Sequence, residues 1–228
     1  MHLELPKGRI HSLRDFGKHY LMIVLSILTA LGLEAWIERA HHAHAAAVAS
    51  QQIETELRGN LADVRSCIAV DLEGLNSLKA LDASVTQDIK AGLPSAVINQ
   101  HIRAHKDQFN LSMSTPGLLS QAWDVAVANQ SAGWIDTALL RRYSDAYAKQ
   151  RNTGAWLTQS STVLLNAPHL VDLLTRINLD IDVDPIDYLT ELHQMIITDT
   201  EAQRHLKQLE LQLVSTFQEG DKRPGPGH

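Results

Sequence analysis

Residues 19–47, HYLMIVLSILTALGLEAWIERAHHAHAAA, decide how the rest of the chain is read. They form either a core helix of a soluble protein or an anchor that places everything after it outside the cytoplasm. Tyr20 to Leu33 is a run of 14 residues without a charge, short by itself for a membrane span. The flanks lengthen it. A helix from Phe16 to Ile37 rises about 33 Å, enough to cross the hydrocarbon layer. Lys18 and Glu34 then lie near the two interfaces, where long side chains reach the headgroups. Tyr20 and Trp36 stand at opposite ends as an interfacial aromatic pair, so Lys18, Tyr20 and Trp36 are the expected membrane-interface residues.

Charge sets the direction. Lys7, Arg9, Arg14 and Lys18 precede the span against Glu4 and Asp15, whereas Glu34, Glu38 and a lone Arg39 follow it. By the positive-inside rule the N-terminus stays in the cytoplasm and the remainder crosses. The expectation is a single-span membrane protein with its C-terminal domain outside the cytoplasm, in contact with the bilayer through residues 16–37. From Glu34 onward, 16 Lys plus Arg face 24 Asp plus Glu. Such an acidic, exported domain is unsuited to nucleic acid. Ala43-His44-Ala45 has the small-x-small pattern of a signal-peptidase site, but it lies about twelve residues beyond the apolar run, too far for an ordinary signal peptide.

Aromatic residues make up only 5% of the 228-residue chain, and Leu, Ala and Ile supply most of the apolar mass, which favours helices over strands. Leu57, Leu61, Val64, Ile68, Leu72, Leu75 and Leu78 recur in steps of three and four, one helical stripe. The stripe predicts a helical stalk over 38–82, with Gly59 and Gly74 as points where it could break. Ser95 is a candidate N-cap for a helix carrying Val97, Ile98 and Ile102. After a loop at NLSMSTPG, Leu119, Trp123, Ala126 and Val127 begin another helix, and Ile135, Leu139, Tyr143, Ala146 and Tyr147 mark the next. Asn166-Ala167-Pro168 breaks the pattern before a short helix with Leu170, Leu173, Leu174 and Ile177. Asp184-Pro185, an N-cap followed by proline in the first turn, opens the last long helix. The expected fold is all-α: a basic tail at 1–15, a transmembrane helix at 16–37, the stalk, an antiparallel helical bundle at 83–218 and a frayed tail at 219–228.

Candidate chemistry is sparse. Asp180, Asp182, Asp184 and Glu191 match positions 1, 3, 5 and 12 of a calcium loop, but Pro185 occupies the position that needs glycine. Capping of the following helix accounts for the same acidic residues. Glu38 and His41 have the spacing used in di-metal carboxylate bundles, and with His42 and His44 they form the candidate metal set; a second such pair, which those bundles require, is missing from the sequence. His101 and His105 stand four apart on a predicted helix, with no third ligand in view. Cys67, flanked by Val64 and Ile68, reads as a buried apolar residue. Trp123, Trp134, Tyr143 and Tyr147 are candidates to line a groove for a ligand or partner helix, although aromatic side chains at helical spacing commonly form core. The sequence contains no G-x-S-x-G, P-loop, G-x-G-x-x-G, H-E-x-x-H or C-x-x-C string, so no enzyme and no cofactor are expected.

The layout FGKHYLMIVLSILTALGLEAWIERA, IETELRGNLADV, SQAWDVAVANQ and LLRRYSDAYAKQ resembles a set of uncharacterised bacterial proteins of the DUF6090 type. In these a short basic N-terminus and one span precede a helical extracytoplasmic domain. The resemblance implies an inner-membrane protein of unknown activity and carries no functional residue to this chain. Two functions are therefore expected. The first is a tethered interaction or scaffold module that binds another envelope protein or itself. The second is a periplasmic ligand- or metal-sensing domain acting through a partner.

Overall fold

The computed structural model describes residues 13–109, 113–165 and 167–218, and every regular element among them is helical. The tails expected at 1–15 and 219–228 lie wholly or largely outside the described residues. α1 runs from Leu13 to Lys90, 78 residues in one helix of about 117 Å. It passes through Gly59 and Gly74 without interruption. Each glycine costs about 1 kcal/mol relative to alanine. That cost is outweighed because Ile53, Leu57, Val64, Leu75, Leu78, Leu81 and Val85 on the same helix are buried.

This burial corrects the expected domain plan. Residues 38–82 are not a stalk set apart from the bundle: from Ala49 onward α1 is the bundle's central member. The stripe itself is also shifted. Asp71 is buried within it, while Leu72 is exposed on the outside.

Beyond α1 come α2 (Ser95–Ala104), α3 (Gln121–Ala128), α4 (Thr137–Leu165), α5 (Pro168–Asn178) and α6 (Pro185–Gln218). Pro168 and Pro185 occupy first-turn positions, where the missing N–H costs nothing. Asp184 caps α6 as the sequence predicts, its Oδ1 accepting from the amides of Ile186 and Asp187 at 2.8 and 3.1 Å. Ser95 is instead the first helical residue of α2, with Pro94 in the cap position.

α6 descends along α1. Asp82 meets His193, Ile68 meets Gln203, Arg65 meets Glu210, and Arg58 lies over the Phe217 ring. α4 rises in the same direction as α1: Glu54 meets Tyr143 and Asn60 meets Gln150. The chain therefore has to return to the start of α4. It does so through residues 113–134, which run down the side of α1 as an irregular strap, then α3, then a one-turn corner at Ser131–Trp134.

Side chains of α1 fix the strap by its backbone. Asp71 Oδ1 accepts from the Ser114 amide at 2.9 Å. The Asn60 amide group accepts from Leu119 N at 3.1 Å and donates to Leu119 O at 2.8 Å, and it also donates to Gln150 Oε1. Glu56 accepts from Ala122 N at 3.0 Å. Gly117 allows the close approach, since a Cβ there would lie 3.1 Å from Asp63 Oδ2. Asn60→Ala removes both of its bonds to the Leu119 backbone, leaving Leu119 O with only the longer contact from Gln150 Nε2 at 3.4 Å and Leu119 N with the local Gly117 O at 3.1 Å. It is expected to cost about 1–3 kcal/mol and to raise the rate of proteolysis within 113–120, read by limited digestion and unfolding of the variant.

Two apolar cores result. The one nearer the N-terminal apolar segment packs Ile53, Leu57, Val64, Tyr143, Tyr147, Leu157, Leu206, Leu209 and Leu213. The distal one packs Leu78, Leu81, Val85, Ile102, Phe109, Leu173, Tyr188, Leu192 and Met195. Asp71 and Asp199 stand at the seam between them.

Candidate functional site

Residues Phe16 to Ile37 of α1 are almost wholly exposed, and this segment is long and apolar enough to cross a membrane by length and composition. Its two aliphatic hydroxyls are satisfied internally: Ser26 donates to Met22 O and Thr29 to Leu25 O, both at 2.8 Å. That is what a polar side chain in hydrocarbon requires. Tyr20 and Trp36 are exposed near its ends, with Phe16 stacked beside Tyr20 at 6.5 Å, and Lys18 is exposed among them.

The candidate metal set does not assemble. Glu38, His41 and His44 are exposed on α1, and His42 stacks on Trp134 with ring centroids 4.1 Å apart and planes 16° from parallel. Among the described residues, no three His, Cys, Asp or Glu side chains are placed to hold a metal ion. The other sequence candidates also have different partners. His101 pairs with Asp88 at 2.7 Å. Asp182 pairs with Arg103, and Asp180 pairs with Lys106 at 3.2 Å.

The four aromatic candidates divide. Tyr143 and Tyr147 are fully buried, so they are core and not groove. Their hydroxyls donate to Glu54 Oε1 at 3.0 Å and Glu56 Oε1 at 2.6 Å. Burial first, then the facing carboxylates, push both phenols far above their ordinary value, so they act as fixed donors. Trp123 packs on Tyr147 at 5.3 Å and is partly buried. Trp134 remains 41% exposed. Glu56 thus links α4 to the start of α3 through one carboxylate.

An open groove lies beside this network between α1 and α3, about 650 Å³ in volume, with Val48, Gln52, Glu56, Leu119 and Val125 in its walls. Val48, Leu119 and Val125 are all exposed. Periodicity could not reveal this groove, because Leu119 sits on the strap and not on a helix.

The seam between the two cores holds groups that the periodic reading passed over. Asp71 and Asp199 are only 3% and 4% exposed, on facing helices. Asp71 Oδ2, Asp199 Oδ1 and Gln203 Oε1 are buried without a hydrogen-bond partner among the described residues. Burial, reinforced by Asp71, raises Asp199 to about 6. The nearby Cys67 thiol is raised by burial and by Asp71 and Asp63, which makes it a poor nucleophile. A carboxylic acid at Asp199 supplies a donor to a layer whose other unpaired atoms, Asp71 Oδ2 and Gln203 Oε1, are acceptors. Asp71 was detectable in principle, since it falls three residues after Ile68 and four before Leu75.

Compared with known protein families, with curated proteins and with solved structures, the chain matches none.

Proposed function

We propose that this protein is a membrane-anchored helical interaction or scaffold module, with its bundle held in the periplasm against the inner membrane. One observation carries the reading: the exposed apolar segment 16–37 and the central helix of the bundle are the same uninterrupted helix. The bundle is therefore set directly on its anchor, without a linker. The acidic balance beyond the span and the basic residues before it favour export of the bundle. The proposed contact face for another envelope protein, or for a second copy, is the groove between α1 and α3 with its exposed Val48, Leu119 and Val125. The layout it resembles, that of uncharacterised single-span bacterial proteins, belongs to the same proposal.

C-terminal fusions test the location. A reporter active only outside the cytoplasm is expected to work in the membrane fraction, and one that fluoresces only inside is expected to stay dark. Fluorescence from soluble protein would overturn the proposal. A photo-crosslinker at Val125 tests the face: adducts to an envelope protein or to a second copy are expected, and exclusive recovery of the uncrosslinked monomer would remove the groove from the reading.

A further inference from the structure

The aromatic side chains exposed among the described residues are Phe16, Tyr20, Trp36 and Trp134. The first three bracket the apolar segment. Elsewhere in the bundle, Phe109, Tyr143, Tyr147 and Tyr188 are fully or nearly fully buried, and Trp123, Trp156 and Phe217 are partly buried. Trp134 is the exception, and its place in the fold is specific.

The strap and α3 descend along α1 until the corner at Ser131–Trp134, and there Trp134 stacks on His42. His42 lies five residues beyond Ile37, so it stands about 7–8 Å past the end of the proposed span. The headgroup region on each side of the hydrocarbon is about 5–8 Å deep. The corner thus brings an exposed indole to headgroup height, the level where tryptophan's apolar ring and polar N–H are both accommodated. Its surroundings are polar and mixed in charge, with Glu38 and Asp136 exposed beside basic residues. Arg39, His41 and His44 are exposed on α1 at the same level, and Arg141 is exposed on the first turn and a half of α4, beside a depression floored by Val127, Ala132 and Gly133.

We infer that this corner is a second membrane contact: Trp134, braced by His42, rests in the phospholipid headgroup layer and seats the bundle on the bilayer. The inference rests on the proposed anchor. It gives the histidine-rich stretch a role as a collar facing headgroups, with His42 supporting the indole.

The test uses the full chain in phospholipid vesicles, with three of the four tryptophans changed to Phe so that either Trp36 or Trp134 remains. Quenching is then measured with a lipid spin-labelled at the headgroup, with lipids brominated at mid-chain, and with aqueous iodide. Trp134 is expected to be quenched by the headgroup label and to be unaffected by mid-chain bromine. If Trp36 responds to lipid quenchers while Trp134 responds to iodide alone, the corner stands clear of the membrane. The inference then falls and the anchor survives. If neither responds to lipid, the anchor falls as well. Should the triple variants lose helicity by circular dichroism, the difference in headgroup quenching between the unmodified chain and Trp134→Phe alone reads the same contact. No difference there overturns it.

Discussion

Asp199→Asn is expected to make the bundle more stable at pH 7.5 and to leave it unchanged near pH 4. The acid's ordinary value of 3.8 rises to about 6 in the folded chain, through burial first and Asp71 second. Because the folded value lies above the unfolded one, the folded state holds the proton more tightly. The stabilisation from Asp199 is complete below about pH 4 and is lost as pH rises through about 6. A shift of this size corresponds to a ceiling of about 3 kcal/mol. Asparagine keeps the donor at all pH values and does not ionise beside Asp71. The difference in unfolding free energy between variant and parent, measured by denaturant titration at several pH values, should open between pH 4 and 6 and plateau above. Parallel curves would mean that the seam accommodates an ionised Asp199 without penalty.

Leu25→Arg combined with Leu28→Arg is expected to abolish membrane association. Both positions lie near the middle of Phe16 to Ile37 and are exposed in the fold, so the change removes no packing within the chain. On the insertion scale, replacing two leucines by arginine at mid-span costs about 6–8 kcal/mol, more than the marginal preference that seats a short apolar helix. The membrane fraction should be emptied of the protein and the exported reporter silenced, while Leu25→Ile with Leu28→Ile should change neither. Retention of the arginine variant in the membrane with an active exported reporter would contradict the reading of 16–37 as a span.

Much of the helical plan is legible because each boundary has a local chemical cause. Asp184 and Pro185 start α6, Pro168 starts α5, and both signals act within a single turn. The continuity of α1 was not legible from Gly59 and Gly74. A glycine's intrinsic cost is fixed, but whether it breaks a helix depends on how many neighbours, such as Leu57, Val64 and Leu75, bury against elements far away in sequence. The strap was hidden for a related reason. Its backbone is held by Asn60, Asp71 and Glu56, polar residues on α1 whose partners lie 43 to 66 positions later. The site candidates fail or survive on the same ground. Spacing puts Tyr143 and Tyr147 on one face of α4 and cannot say that Glu54 and Glu56 close over them. Nor can it show that His42 meets Trp134, 92 residues away, instead of a metal.

With 16–37 as the proposed span, the single helix that continues into the distal core also makes the protein a lever. From Ile37 to Lys90 α1 extends about 80 Å beyond the span. A change of about 20° in the span's inclination, the kind imposed by a bilayer of different thickness, would carry the far tip about 27 Å sideways, with no hinge to absorb it. On the proposed anchor, local bilayer thickness would thereby be converted into the position of the far tip that carries α2 and α5.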